Sequence, residues 1–220
     1  MEEHEMVQEQ PASLPRLGSP APQFEAVTTH GTLRLEDFKG SWLILFSHPA
    51  DFTPVCTTEF IGFAQIHEQL REMNCELMGL SIDSVYSHIA WVRNVEEKLG
   101  QKIGFPVIAD LNKEVASLYG MVMPGESKTE TSRCVFVIDD KQIVRAMIYY
   151  PLSTGRNMDE MVRLIQALQT TDKHGVATPA NWRPGDKVIV SPPNTQEMAE
   201  ERVKNEQLDC TDWYFCKKQL

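Results

Sequence analysis

A short apolar run followed by a loop and a proline-initiated helix is the feature that most constrains the fold of this chain. The run 42–46 is apolar, is bounded by polar residues and predicts a buried β-strand. Beyond the loop, apolar residues at mostly helical spacing over 57–74 predict an amphipathic helix. Thr53 is a suitable N-cap and Pro54 suits the first helical position, which places Cys56 in the first turn.

This placement favours a reactive thiol at Cys56. The unpaired backbone N–H groups and the dipole at a helix start favour an anion. A thiol held there ionises more readily than a free one, and the thiolate is the nucleophilic form. The alternative is that Cys56 is a small buried hydrophobic residue, the commonest state of a free cysteine. Placement alone leaves both interpretations open.

The residues around Cys56 resemble the active-site signature of the peroxiredoxins. The matching residues are Pro49-x-x-x-Thr53-x-x-Cys56-Thr57-Thr58-Glu59. With Ser47-His48 before it, the stretch is similar to the one-cysteine subgroup and its archaeal-type members. The resemblance implies a thiol-specific peroxidase, in which the Cys56 thiolate attacks hydrogen peroxide or an organic hydroperoxide and becomes a sulfenic acid.

The chemistry of Thr53 and Pro49 suits the roles that this resemblance implies. Charge develops on the departing peroxide oxygen, so preorganised donors and cations should dominate the rate. Thr53, one helical turn before Cys56, could offer its hydroxyl to the thiolate or to peroxide. Pro49 donates no hydrogen bond and stiffens the loop, which would help to exclude water.

Two arginines complete the catalytic set that the resemblance implies. Arg133, in Thr131-Ser132-Arg133-Cys134, resembles the family's arginine at the start of a core strand. A guanidinium stays charged and offers five donors, so it can favour a thiolate and hold a peroxide. Without the resemblance, an arginine at a strand end is ordinarily a solvated surface residue. Arg156, in a second family-like stretch at 150–157, is assigned a supporting role.

His48 and Glu59 each have two possible roles. The His48 ring could reach the pocket as a proton shuttle, or could be a packed ring bonded to backbone. Glu59 could bond a neighbouring arginine, or could simply favour the first turns of its helix. The remaining histidines have no metal-ligand spacing with cysteine, so no metal and no dissociable organic cofactor are predicted. They are His4, His30, His67, His88 and His174.

The order of elements predicts an α/β fold, and the resemblance implies a thioredoxin-like fold with a small C-terminal extension. Strands and helices alternate from residue 42 onward, which is typical of a sheet with helices on its faces. An antiparallel hairpin at 134–150 and a helix starting at Asn157 follow. We predict a mobile acidic arm over 1–13, a peroxidase domain over 14–170 and an extension over 171–220. The extension is predicted to hold one short strand at 187–190 and one charged helix at 195–208.

The five cysteines are odd in number and unevenly spaced, which does not suggest a disulfide framework. Cys75 and Cys134 are predicted core residues. Cys210 and Cys216 lie near a polar terminus, where burial is less expected; on a helix they would face different sides, and a disulfide between them needs a turn. Two cysteines alone do not make a zinc site.

The resemblance gives the C-terminal pair a role. Archaeal-type members of the subgroup carry such a pair, which implies that one of its two cysteines resolves the oxidised Cys56 as a disulfide. We favour Cys216 for this role because it is the more terminal of the two, with Cys210 assisting exchange. An external thiol donor, thioredoxin-like or similar, would then reduce the enzyme. The resemblance also implies that the C-terminal arm reaches a partner subunit in a homodimer, and that the dimers assemble into a larger ring, a decamer.

Charge and terminal composition exclude several other classes. The formal net charge is −10, with 31 acidic and 21 basic residues, and no basic run is available to neutralise nucleic acid or an anionic membrane surface. The first residues are acidic and lack an apolar h-region, and no apolar run approaches a membrane span. Cytoplasmic residence is therefore predicted.

Three alternative activities are disfavoured. A thiol–disulfide oxidoreductase on the same fold uses a Cys-x-x-Cys pair, whereas Thr53 stands at the first of these positions here. A holdase that protects unfolded clients has no feature in its favour. The phospholipase element of some animal members, Gly-x-Ser-x-Gly, is not matched by the stretch 39–43, so Ser41 is predicted to be an ordinary loop serine.

Overall fold

The computed structural model describes residues 14–220. The predicted acidic arm at 1–13 lies outside the described residues. The chain divides between Arg156 and Asn157 into two units. The predicted domain limits at 13 and 170 stay predictions.

The first unit is built on a seven-stranded mixed sheet with strand order β2-β1-β5-β4-β3-β6-β7. The strands are β1 Glu25–Thr28, β2 Gly31–Arg34, β3 Trp42–Ser47, β4 Cys75–Ser81, β5 Val107–Ala109, β6 Arg133–Ile138 and β7 Val144–Tyr150. The helices are α1 Pro54–Glu72, α2 Val85–Leu99 and α3 Glu114–Leu118, with a 3₁₀ turn at Leu35–Phe38. Strands β3, β4 and β5 are parallel neighbours, whereas β6 and β7 form the predicted antiparallel hairpin.

The central strand β3 is buried along its whole length because it lies between β4 and β6 and both of its faces are covered. On one face, apolar residues of β3, β4 and β6 form a continuous core. On the other face, the Phe46 ring stacks on Phe63 with centroids 3.9 Å apart. Gly79 of β4 leaves room for these rings, since a Cβ there would lie 3.2 Å from Phe46 and 3.3 Å from Phe60.

Local sequence signals set the two ends of α2. The Ser84 side chain accepts a hydrogen bond from the Ser87 N–H at the start of α2. At its end, Gly100 has φ +69°, and its N–H bonds to the Glu96 carbonyl. Before β3, the 3₁₀ turn Leu35–Phe38 buries Leu35.

The second unit joins a long helix to a three-stranded antiparallel sheet. Helix α4, Met158–His174, starts at Asn157, whose side chain accepts from the Glu160 N–H, and ends at Gly175 with φ +60°. The sheet has the order β8-β10-β9, from β8 Val188–Ile189, β9 Asp209–Asp212 and β10 Phe215–Lys218. Ala167, Trp182 and Val188 form a small core.

Two predictions for the C-terminal segment need correction. The charged helix is shorter than predicted: α5 spans Gln196–Arg202, because the chain then turns towards β9. The last residues form the β9–β10 hairpin, which the sequence pattern does not indicate, since only one of its residues, Cys216, is buried and alternation is weak. Over residues 14–220, no helix has the length and apolarity needed to cross a bilayer.

Candidate active site around Cys56

Cys56 lies in the first turn of α1, directly after the loop that leaves β3. Thr53 has an extended backbone at the N-cap and Pro54 occupies the first helical turn, as predicted. The Thr53 hydroxyl donates to the Ala50 carbonyl at 2.8 Å, which closes the loop on itself. The Cys56 side chain is fully buried. Cys56 is therefore both a cysteine at a helix start and a buried thiol, so features of both interpretations are present.

Strand neighbours bring Arg133 to this helix start. Because β3 and β6 are antiparallel neighbours, the end of β3 lies beside the beginning of β6. The Ser47 hydroxyl donates to the Ser132 carbonyl at 2.6 Å, and the Thr131 hydroxyl donates to the His48 carbonyl at 2.7 Å. These bonds fasten the loop to the residues that precede Arg133. As a result, Arg133 Nη1 donates to Cys56 Sγ at 3.4 Å.

Glu59 joins two buried arginines, and we call Glu59, Arg133 and Arg156 the arginine cluster. Arg133 Nη1 donates to Glu59 Oε2 at 2.7 Å. Arg156 donates to the same carboxylate three times, from Nε at 2.8 Å, Nη2 at 2.7 Å and its backbone N–H at 2.9 Å. Of the two alternatives for Glu59, the structure has the bond to arginine. The three side chains are each at most 3% exposed.

Further contacts hold each guanidinium in place. Arg133 Nε and Nη2 both donate to the Leu152 carbonyl, at 2.9 and 2.8 Å. Arg156 Nη1 donates to the Cys134 carbonyl at 2.8 Å, and its guanidinium lies 5.3 Å from the ring centroids of Phe46 and Phe63. Neither arginine is a solvated surface residue.

The charge of the arginine cluster is unbalanced. Two guanidinium cations and one carboxylate leave one positive charge in a buried place. Burial raises the pKa of the Glu59 carboxyl, but the charge and hydrogen bonds of Arg156, with the charge of Arg133, lower it more. Glu59 is therefore ionised, and its net pKa lies below its ordinary value. A Cys56 thiolate would supply the missing negative charge.

His48 lies in a second buried polar group, the histidine cluster, with Asp51 and His88. His48 Nε2 lies 3.0 Å from Asp51 Oδ1, and His88 Nδ1 lies 2.9 Å from Asp51 Oδ2. Burial lowers the pKa of His48 more than the Asp51 carboxylate raises it, so the ring is neutral. His48 Nδ1 has no hydrogen-bond partner within the described chain. The three side chains bring nitrogen and oxygen atoms within 4.8 Å of one another, a grouping that the spacing of cysteines and histidines in the sequence does not reveal.

The loop between β3 and α1 is strained at Phe52. This residue has φ +55°, a left-handed conformation that a bulky side chain rarely adopts. Such a residue costs about 1–3 kcal/mol and persists only where its surroundings fix it. Its neighbour Asp51 supplies part of that support, because the Asp51 N–H donates to Asp83 Oδ2 at 3.0 Å.

Cys75 and Cys134 are core residues, as predicted. Both are fully buried, and burial raises the pKa of each thiol to about 12. The Cys134 thiol points to the Met121 carbonyl at 3.9 Å. Neither thiol is prepared for nucleophilic attack.

Cys210 and Cys216 form a disulfide across the β9–β10 hairpin. They are paired residues in the strand register, and the chain turn that the pair requires lies between the two strands. Cys216 is fully buried and Cys210 is half-buried. The pair belongs to the second unit, whereas Cys56 belongs to the first.

The mixed sheet, the helix-initial cysteine and the arginine beside its sulfur define an α/β thiol oxidoreductase. Comparison with known proteins then identifies the family. Residues 17–147 match the AhpC/TSA family, and residues 167–206 match the C-terminal domain of 1-Cys peroxiredoxin. A peroxiredoxin of Aquifex aeolicus is 58% identical over 219 residues, which cover 94% of this chain and 98% of that protein.

Solved structures agree with these matches. A yeast mitochondrial 1-Cys peroxiredoxin superposes with a TM-score of 0.84 at 41% identity, covering 94% of this chain and 100% of that one. Peroxiredoxin 6 of Arenicola marina, solved as a cysteine-to-serine mutant, gives a TM-score of 0.82 at 37% identity, with 93% and 97% covered. This chain belongs to the peroxiredoxins. It is a peroxide-reducing oxidoreductase with a thioredoxin-like fold and a C-terminal extension, which confirms the predicted fold and activity.

Proposed function

We propose that Cys56 is the thiol that attacks peroxide, with Arg133 as its main electrostatic partner. The observation that carries this assignment is the 3.4 Å contact from Arg133 Nη1 to Cys56 Sγ, beside a buried cluster with one excess positive charge. The cation stabilises the thiolate, and its remaining field stabilises the charge that develops on the departing oxygen. The sulfur gains one peroxide oxygen as sulfenic acid, and the other oxygen leaves as water or alcohol.

The other residues have supporting roles in this proposal. Glu59 and Arg156 hold Arg133 in position and set the charge around it. Pro49 stiffens the loop, and Thr53 fixes its final turn through the bond to Ala50. His48 lines the loop as a neutral ring rather than as a permanent cation.

The assignment is tested with Cys56→Ser. Peroxide consumption in the presence of a dithiol should fall to the uncatalysed level, because the alcohol is not ionised near neutral pH. Cys75→Ala is the matched control, since Cys75 is a buried thiol of the same unit, and it should retain the activity. Unchanged consumption by Cys56→Ser would refute the assignment.

We further propose that the C-terminal pair completes the catalytic cycle. The Cys216 thiol condenses with the Cys56 sulfenic acid and releases water, forming a Cys56–Cys216 disulfide. The Cys210 thiolate then attacks Cys216 Sγ, which frees Cys56 and forms Cys210–Cys216. This order is supported by the hairpin, which holds Cys210 and Cys216 as paired residues and bonded sulfurs. An external dithiol reduces that disulfide.

The resolution step is tested by trapping. Reduced Cys210→Ser protein treated with one equivalent of peroxide should accumulate a Cys56–Cys216 disulfide, detected by a non-reducing gel shift and peptide mapping. Cys216→Ser is the control and should give only oxidised Cys56. Sulfenic or sulfinic Cys56 beside a free Cys216 in the Cys210→Ser variant would contradict the proposal.

The reductant, the assembly and the location are also proposals. We infer a thioredoxin-like or similar dithiol donor, which supplies two electrons per disulfide.

We infer a ring of homodimers, a decamer, supported by the exposed apolar residues Val27, Tyr86 and Leu111 around one depression of the first unit. Light scattering of wild type and Tyr86→Glu tests the ring, and a smaller variant assembly is expected. Cytoplasmic residence is supported by three free, buried cysteines and is tested by cell fractionation.

A further inference from the structure

Short polar contacts connect the three side chains of the histidine cluster. His88 Nε2 lies 3.1 Å from the Ile108 carbonyl, and His88 Nδ1 lies 3.0 and 2.9 Å from the two oxygens of Asp51. His48 Nε2 lies 3.0 Å from Asp51 Oδ1. All three side chains are at most 1% exposed, so bulk solvent does not reach them.

The bonds to His88 determine where protons must be. A carbonyl oxygen only accepts, so His88 Nε2 carries a hydrogen. The Asp51 carboxylate also only accepts when it is ionised, so His88 Nδ1 and His48 Nε2 carry hydrogens as well. Burial raises the pKa of Asp51, but hydrogen bonds from both rings and the charge of His88 lower it further, which favours the ionised form. His48 then has a bare Nδ1, in agreement with its lack of a partner among residues 14–220.

We propose that His88 is a positioning residue for the peroxide reaction: a buried imidazolium that neutralises Asp51 and so holds the loop before Cys56. The proposal gives a role to a histidine on α2 that no active-site motif includes. It rests on the proposed function of Cys56 as the reacting thiol.

The loop depends on Asp51 through both its side chain and its backbone. The carboxylate bonds His48 at the start of the loop, while the Asp51 N–H donates to Asp83 Oδ2, which also accepts from the Ser81 hydroxyl. The strained Phe52 follows immediately, and then the N-cap of α1. Without the cation at His88, the carboxylate would be buried beside the neutral His48 and the side chain of Asp83, with too few donors. The loop would then shift, and this shift would change the geometry in which peroxide approaches the Cys56 sulfur.

The first test measures the protons directly. In wild-type protein with ¹⁵N-labelled histidine, magic-angle-spinning NMR near neutral pH should show both ring nitrogens of His88 protonated. The same spectra should show His48 protonated only at Nε2, with assignments from the loss of signals in His88→Gln and His48→Gln. A bare His88 Nδ1 overturns the proposal. A stoichiometric metal ion found by elemental analysis of the purified protein also overturns it, because an ion bound there would replace the proton between the three side chains.

The second test measures the consequence. His88→Gln can still reach the Ile108 carbonyl but leaves Asp51 without its cation, whereas the shorter amide of His88→Asn can donate to Asp51. We expect kcat/KM for peroxide to fall on the order of tenfold or more in His88→Gln, with partial recovery in His88→Asn. The control is His67→Gln, the same exchange at a partly buried histidine of α1, which should leave kcat/KM unchanged.

The outcomes separate this proposal from a purely structural role and from the function of Cys56. If folded His88→Gln matches His67→Gln in kcat/KM, or if His88→Asn recovers nothing, the positioning role is refuted. If the variants do not fold, the NMR measurement on wild-type protein decides alone. Full activity in Cys56→Ser would defeat the proposed function of Cys56, while the protonation of His88 would still be measured independently.

Discussion

Cys56 and Cys134 are two fully buried thiols of the same unit with opposite surroundings. Both lie near the arginine cluster, since Arg156 donates to the Cys134 carbonyl and Arg133 donates to the Cys56 sulfur. The difference is what each sulfur faces. Cys134 Sγ points to a carbonyl oxygen, and burial raises its pKa to about 12, whereas Cys56 Sγ receives a guanidinium N–H at a helix start. Burial disfavours the reactive thiolate unless a cation and hydrogen-bond donors lie beside the sulfur.

Removing the cation beside Cys56 should reduce the difference in reactivity between Cys56 and Cys134 more than any other change. Arg133→Met should lower the rate constant of Cys56 with peroxide by about 10²–10³-fold, as for loss of a principal charge-stabilising donor. Stopped-flow measurement of the peroxide reaction provides the test. Arg145→Met, on the adjacent strand β7, is the matched control and should keep the wild-type rate. Equal rates in the two variants would mean that Arg133 does not activate Cys56.

A smaller but broad effect is expected from Glu59→Gln. The neutral amide leaves two buried guanidinium cations without their anion, which should cost about 3 kcal/mol or more of unfolding free energy. Urea unfolding measures this cost. Glu160→Gln is the control, because Glu160 pairs with Arg163 at a more exposed place and should cost under about 1 kcal/mol.

The lowered pKa of Glu59 also predicts that the free energy of unfolding depends on pH. The pKa of Glu59 is lowered in the folded state, so its stabilisation is present above its unfolded value and is lost as pH falls through the folded value. Wild-type stability should therefore decline below about pH 4.5, the ordinary value of the carboxyl. Part of the decline should be missing in Glu59→Gln, while other carboxyl groups with lowered pKa values, such as Asp51, still contribute to it. Identical pH slopes in the two proteins would contradict the ionised state of Glu59.

The smallest effect on the peroxide reaction is expected from substituting Cys134. Cys134→Ala should leave the peroxide rate within about twofold of wild type, because its sulfur takes no part in the site. Its loss should cost about 1 kcal/mol of stability through the lost packing of one sulfur atom. Stopped-flow kinetics and urea unfolding test both statements. A large loss of rate at full stability would make Cys134 a participant.

Local signals made much of the fold predictable. The apolar run of β3, the Pro54 start of α1 and the Ser84 and Gly100 ends of α2 all follow from residues within a few positions of each element. The C-terminal hairpin was not predictable, because its stability comes from cross-strand pairing and a disulfide rather than from a buried alternating face.

For the candidate site, likewise, the sequence identified individual residues but not the contacts between distant ones. Cys56 and its flanking signature could be identified because they are contiguous, and Arg133 and Arg156 because each lies in a recognisable stretch. The sequence did not indicate that both arginines share Glu59, with separations of 74 and 97 residues. Nor did it connect Asp51 with His88, which are 37 positions apart.

The sequence alone determined that a cysteine stands at the start of a helix after a buried strand, because strand periodicity, proline and N-cap preferences act over a few residues. Only the tertiary structure decided which charges surround that cysteine. The antiparallel pairing of β3 and β6 brings Arg133 to the Cys56 sulfur, and burial makes each unbalanced charge costly. Electrostatics in a protein interior depends on distance in space, which chain separation does not encode.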